Sequence, residues 1–252
     1  MHVLQIHNRR YVQFERLRNE RGLVQAFSTR PGDVSPRDGG QSGERAARRR
    51  QMAVDVGLDP GELCYCVQVH QTGLAIIDGA QPRGRLEGVD AVITALPGVA
   101  LMVFSADCPL ILVFDPVQRV VGLGHASWRC TIASATRRLV EAVRGRFGSQ
   151  PGDLLAGIGP AAGPCCYEVQ ADVFAAAAQL PGHAEFFETR GGRLYFDLWR
   201  ANRAQLLEAG VSPENLETAE ICTICRNDWF YSFRREGPGC GHFGLIAGLA
   251  GT

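Results

Sequence analysis

Long hydrophobic runs are missing from this chain. No stretch approaches the roughly 18 consecutive apolar residues that a membrane-spanning helix needs, so no membrane segment is expected. The opening MHVLQIHNRR has no positive stretch followed by an apolar core, which argues against a secretory leader. Net charge is missing too: 26 basic and 26 acidic side chains cancel. Without a field of one sign, nucleic acid and acidic membranes are not expected partners. Arg45 and the run Arg48-Arg49-Arg50 form a local basic patch. It reads as the solvated face of a helix whose apolar side is Ala46, Ala47, Met52, Ala53 and Val54. Internal repeats, low-complexity tracts and linkers are absent. Histidine is scarce, with six residues and no His-x-His pair. The nine cysteines are an odd number, spread unevenly. That usage fits free or metal-bound thiols in a reducing cytoplasm better than a disulfide scaffold.

What is present describes one globular unit. At 252 residues, with 46% apolar and 21% charged side chains, a single catalytic domain over 1–252 is expected. Ser28 to Glu44 is rich in Gly, Pro and polar residues and reads as a surface loop. A helix follows from Glu44 to about Val56, closed by Gly57. CYCVQVHQ, GVDAVITAL, VALMVFSADCPLILVFDP and VVGLGHASW read as strands. Ile132, Ala135, Leu139, Val143 and Phe147 recur at helical spacing, predicting one helix over Thr131–Phe147. LLAGIGPAAGPCCYEVQADVFAAAAQL reads as strand, Gly/Pro-rich loop and helix, and Asp197 caps another helix through about Leu207, ended by Gly210. ETAEICTICRNDWFYSFRREG is β-like in composition. Strands outnumber helices and do not alternate strictly with them, so the expected class is α+β: mixed β-sheets with flanking helices.

Chemistry concentrates around VFSADCPLILVF, where Asp107 and Cys108 interrupt two apolar runs before Pro109. A cysteine in an apolar strand is usually a small buried hydrophobe. This one sits where the pleat is broken and side chains can face a cleft. His70 in VHQTG and His125 in GHASW occupy similar strand ends. A His, Cys, His trio suits a catalytic zinc site with one open position. It equally suits a thiolate–imidazolium pair for nucleophilic attack. Spacing does not choose between them.

The ordered set VHQTG, SADCPLILVFDP, GHASWR, GPAAGPCCYEV, CTIC and FYSFRREG resembles the laccase-domain, or polyphenol oxidase-like, family. The resemblance runs from FSTRPGDVS to about residue 237. It implies zinc-dependent purine nucleoside phosphorylase chemistry on adenosine, inosine or methylthioadenosine, with adenosine deaminase activity beside it. It also implies a cysteine hydrolase-like α+β fold, and it makes His70, Cys108 and His125 the zinc ligands. Cys108 then competes between ligand and nucleophile, because a thiolate held on zinc is a poor nucleophile. Three departures stand out. Ser127 and Cys130 replace two glycines of the family's His-Ala-Gly-Trp-Arg-Gly, RDGGQSG replaces Asn-Leu-Gly, and Cys240-Gly241-His242 replaces Thr-Gly-Arg.

Around this trio, Asp107 is the nearest carboxylate and a candidate proton shuttle or ligand-orienting partner; its plain alternative is a turn-former. Arg30, Gln71 and Arg129 are the candidate substrate-binding residues, the arginines for phosphate or carboxylate. Arg234-Arg235 reads as a solvated turn, with closure over substrate as the alternative. GPAAGPCCYE offers a rigid turn or an anion-binding helix start, the first favoured. Adjacent Cys165 and Cys166 read as packing residues, and the single pair Cys222-x-x-Cys225 as structural rather than metal-binding. His2, His7, His183 and His242 have no partner pattern.

A zinc held by the trio would lower the pKa of a water in its fourth position to around 7, for deamination or amide hydrolysis, or would position phosphate for attack at ribose C1′. The competing readings are an amidase acting on a cell-wall precursor, a copper-binding polyphenol oxidase, and a non-catalytic metal-binding module. Six histidines without His-x-His exclude a trinuclear copper cluster, although copper can replace zinc at a His₂Cys site. The expected partners are a small molecule and phosphate.

Overall fold

The protein is described from a computed structural model covering residues 1–36, 43–79 and 83–250. Among the described residues, two large mixed sheets pack face to face. The first joins β1 (His2–Ile6), β2 (Arg9–Gln13), β3 (Leu23–Ser28), β4 (Leu63–Val67), β6 (Gly84–Glu87), β8 (Ala100–Ser105) and β16 (Phe243–Leu249). Their order is β1-β2-β3-β16-β8-β4-β6, with β4 parallel to β6 and β8 and the other pairs antiparallel. The second joins β5 (Leu74–Ile77), β7 (Ala91–Thr94), β9 (Leu110–Asp115), β10 (Val120–His125), β11 (Leu155–Ile158) and β15 (Leu216–Thr218). Its order is β15-β11-β9-β10-β7-β5, parallel only at the two edges. A small antiparallel sheet orders β12 (Glu168–Val169), β14 (Arg193–Phe196) and β13 (Phe187–Arg190).

Strand pleating explains why β8 and β9 are apolar throughout. Leu101 and Val103 of β8 and Leu110, Leu112 and Phe114 of β9 meet in the core between the sheets. The alternate residues of β8, Ala100, Met102 and Phe104, pack outward on Met52 and Ala53 of α1 (Glu44–Asp55). Those of β9, Ile111 and Val113, pack on Leu139, Val140 and Val143 of α3 (Ala135–Phe147), beside Leu206 of α5 (Leu198–Glu208). Sheets covered on both faces need continuous apolar strands. Each fully buried side chain of this kind stabilises by about 1.5–3 kcal/mol relative to exposure. The expected α+β architecture, with mixed sheets and flanking helices, is the one observed.

Local expectations differ at five places. The helix foreseen over Thr131–Phe147 is two: α2 (Trp128–Ile132) and α3, separated by Ser134 at φ +57°. The Thr131 carbonyl accepts from Ser134 N–H at 3.0 Å and from Gln205 Nε2 at 2.7 Å, so it does not continue an α-helical ladder. Arg49, assigned to a solvated face, is 1% exposed. Its guanidinium lies 4.5 Å from the Tyr65 ring and donates to the carbonyls of Ser35 (2.6 Å) and Val34 (3.2 Å). Beyond β15 the β-like C-terminal segment is turns, followed by α6 (Phe233–Glu236). Its aromatic Phe230 enters the core singly, without strand alternation. The GPAAGPCC loop leads into β12 and only then into α4 (Ala171–Ala177), so it does not sit at a helix start. The remaining difference, the placement of the four late cysteines, belongs to the sites below. Arg37 to Ser42, within the RDGGQSG departure, lies outside the described residues.

Candidate metal centre and cavity

Asp90 organises the centre, although in the sequence it reads only as part of strand GVDAVITAL. It is buried immediately before β7, and its carboxylate accepts three consecutive backbone N–H groups: Val69 (3.1 Å), His70 (3.1 Å) and Gln71 (3.0 Å). Wrapping three amides around one anion forces His70 into the left-handed region, φ +60°. Three residues on from His70, the turn passes so close to its neighbour that a Cβ on Gly73 would stand 2.5 Å from the Gly88 carbonyl oxygen. This is why VHQTG needs glycine there. The same carboxylate accepts the Nδ1–H of His125 at 2.8 Å, leaving Nε2 of that ring for another partner. Burial raises the Asp90 carboxyl, but the His125 hydrogen bond and the N–H groups of Gln71 and Val69 outweigh it, and its pKa is lowered.

Cys108 reaches the two imidazoles because the strand breaks. Asp107 takes φ +101°, a conformation costing on the order of 1–3 kcal/mol for a non-glycine residue. The surroundings hold it there. Asp107 Oδ1 accepts from Thr223 Oγ1 (2.6 Å), Oδ2 from the Arg234 N–H (2.7 Å), and its carbonyl from the Ala162 N–H (2.7 Å). Ser105 Oγ donates to the Cys108 carbonyl at 2.6 Å. Three bonds then join the three chain segments. The Gln68 amide side chain exchanges hydrogen bonds with the Phe104 backbone (2.7 and 2.8 Å), and the Ala126 N–H donates to the Pro109 carbonyl (2.9 Å).

The result is a compact donor set. One ligand atom from each of His70, Cys108 and His125 lies within 4.8 Å of the others, and the two imidazole rings meet edge to face at 5.0 Å. Burial, followed by the nearby acids and Cys130, pushes the Cys108 thiol well up. A cation in the centre is what would favour its thiolate. Two imidazoles, one sulfur and a carboxylate fixing the histidine tautomer therefore fit a zinc-type ion.

The trio opens into a cavity of about 510 Å³. Gln68, Asp107, Arg129 and Arg234 line it with the aromatic rings of Trp128, Tyr167 and Phe233. Arg129 stacks on Trp128 at 4.2 Å, and Arg234 on Tyr167 at 4.5 Å. Thus Arg129 reaches the cavity as anticipated, and Arg234 lines it too. Gln71 faces a smaller neighbouring pocket of about 200 Å³, and Arg30 lies in a separate groove, bound to Glu236 at 2.8 Å. His242, given no role from sequence, lines the main cavity. Of the departures, Ser127 lines the cavity and Cys130 lies beside Asp90 and His125. Ser127 caps α2 and its hydroxyl contacts the Cys130 sulfur at 2.9 Å, which in turn lies 3.8 Å from Asp90.

The chain has relatives in both sequence and structure. A Bacteroides thetaiotaomicron protein named purine nucleoside phosphorylase is 32% identical over 96% of this chain and 96% of its own. A protein of an unknown prokaryotic organism, named adenosine deaminase RL5, is 31% identical over 86% of this chain and 91% of its own. The crystal structure of YlmD from Geobacillus stearothermophilus superposes with a TM-score of 0.86 at 28% identity, covering 99% of each chain. Residues 25–250 match the family described as multi-copper polyphenol oxidoreductase laccase. The chain belongs to that laccase-domain family.

Proposed function

We propose that the protein is a purine nucleoside phosphorylase with zinc held by His70, Cys108 and His125. The observation that carries the reading is the convergence of these three donors at a cavity walled by arginines and aromatic rings. The name of the Bacteroides relative supplies the substrate class. When bound, the metal supplies Lewis acidity to a phosphate or water oxygen in the cavity; copper is the substitute that the same donors would accept.

The chain's own groups do the rest. Arg129 and Arg234 bind the phosphate dianion, their planes held by Trp128 and Tyr167. Phe233, 48% exposed at the cavity, offers an aromatic face to a purine. In phosphorolysis a phosphate oxygen bonds to ribose C1′ while the C1′–N9 electron pair leaves with the base, which must then gain a proton. Tyr167, whose phenol burial keeps protonated, stands on the wall as a hydrogen-bond donor to the leaving base, while the proton itself comes from water. Asp107 is a positioning residue in this scheme. Both of its oxygens are occupied, and they fix Arg234 and the Cys108 turn. Gln71 and Arg30 act from outside the cavity, through the Asp90 turn and the Glu236 ion pair.

The same donors suit deamination of adenosine, a second reading supported by the relative named adenosine deaminase. Incubating zinc-loaded protein with inosine and adenosine, with and without phosphate, separates the two. Release of free base only when phosphate is present is expected. Inosine formation from adenosine without phosphate supports the second reading, and turnover of neither nucleoside contradicts both.

A further inference from the structure

Four of the other cysteines, Cys165, Cys166, Cys222 and Cys225, form a second cluster. Cys165 and Cys166 lie in the turn closed by the Cys166 and Tyr167 N–H groups on the Gly163 carbonyl, both at 2.9 Å. Cys222 and Cys225 lie in a turn closed by the Arg226 N–H on the Cys222 carbonyl at 2.8 Å. A bridge pairs Ala161 with Cys222, and the Thr223 N–H donates to the Ala161 carbonyl at 2.9 Å, so the two turns face each other. The approach is tight: a Cβ on Gly163 would stand 3.2 Å from Cys222 Cβ and 2.8 Å from the Trp199 ring. All four Sγ atoms lie within 4.8 Å of one another, with Cys225 at 3.8 Å from Cys165 and 3.4 Å from Cys166. The reading of Cys165 and Cys166 as packing residues is corrected here. One is exposed, the other partly so, and the turn brings both sulfurs to the same partner.

We propose that Cys165, Cys166, Cys222 and Cys225 form a structural tetrathiolate site for zinc. A tetrahedron with metal–sulfur bonds of about 2.3 Å has edges of about 3.8 Å, close to the separations seen. A disulfide would use two of the sulfurs and leave the convergence of the others unexplained. The turn also supplies what thiolates on a metal require. The backbone N–H of Gly163 reaches the Cys222 sulfur at 3.3 Å, and those of Cys225 and Ile224 also bond it. Positive charge lies beside the two turns: Arg190 donates to the Pro164 carbonyl and Arg235 to Ile224 O at 3.0 Å. These cations offset the negative charge of four thiolates around one divalent ion. The site has no open position, so its work is bracing. Thr223, between the two cysteines of the pair, is the donor to Asp107 beside Cys108. Metal binding would thereby fix one wall of the cavity.

The test is metal stoichiometry and sulfur coordination on the full chain, purified with zinc under reducing conditions. Two zinc ions per chain are expected by native mass spectrometry and elemental analysis. Cys225→Ser should lose one of them while keeping the other, and Cys108→Ser should do the reverse. Cobalt exchanged into Cys108→Ser should give the intense sulfur-to-cobalt charge transfer of a tetrathiolate. If Cys225→Ser does not fold, X-ray absorption on zinc-loaded Cys108→Ser decides, with four sulfur neighbours expected. Zinc that is fully retained in Cys225→Ser, or rapid alkylation of all four cysteines in zinc-replete protein, overturns the proposal. So does a disulfide among them in the purified reduced protein.

Discussion

Two clusters of soft donors stand on either side of Asp107, and they are built differently. The first mixes two imidazoles with one sulfur, takes its residues from strand ends and opens into a cavity. The second is all sulfur and comes from two facing turns. Three protein ligands with an open position suit catalysis, whereas four thiolates close the coordination sphere. The supporting groups differ accordingly. A buried carboxylate, Asp90, fixes the imidazole tautomer in one; backbone N–H groups reach the sulfur in the other. Asp107 joins them, with one oxygen on Thr223 of the cysteine turn and the other on Arg234 of the cavity wall.

That contrast is broken most sharply by comparing two cysteine substitutions. Cys108→Ala should reduce nucleoside turnover by at least about 100-fold, since it removes a ligand of the reactive centre. Because Cys108 sits at the cavity wall rather than between the sheets, the variant's melting temperature should fall by less than that of Cys225→Ser. Cys225→Ser should do the opposite, lowering the melting temperature by several degrees and kcat by less than about tenfold. Equal losses of activity in both would show that the clusters are not functionally distinct. Asp90→Asn comes next, with metal affinity and activity at the trio falling about 10- to 100-fold. Cobalt spectra should then show the sulfur cluster unchanged.

The smallest effect serves as a control on the fold itself. Burial would raise the Asp55 carboxyl, but Arg9, Tyr11 and Gln51 outweigh it and hold the group at about 2. A depressed carboxyl stabilises above its unfolded value near 3.9 and loses that contribution as pH falls towards 2. Arg9 is partly exposed, so screening limits the gain to about 1–2 kcal/mol. In acid melts, Asp55→Asn should flatten the slope between about pH 4 and pH 2 and leave both metal contents unaltered at neutral pH. An unchanged acid slope would remove Asp55 from the account.

The strands, and with them the trio, were legible because burial on both faces writes itself into continuous apolar runs. His70, Cys108 and His125 each follow or interrupt such a run, so their shared position at one end of the sandwich was within reach. Asp90 was not, because a lone acid before a strand carries no mark of the three amides that will wrap it. Nor was the four-cysteine cluster, whose halves are 57 residues apart, from Cys165 to Cys222, and meet through turns without periodicity. Arg49 misled for a related reason. A run of arginines looks solvated until one of them finds two carbonyls and a tyrosine ring inside the protein.

The central claim is that phosphate-dependent cleavage of a purine nucleoside depends on a metal at His70, Cys108 and His125. It is tested most directly by stripping the protein of metal and adding zinc back in steps, following base release from inosine with phosphate present. The account predicts that stripped wild type releases almost no base and recovers with zinc, while Cys108→Ala does not recover at any zinc level. Full phosphorolysis by stripped protein, or equal recovery in Cys108→Ala, would contradict it.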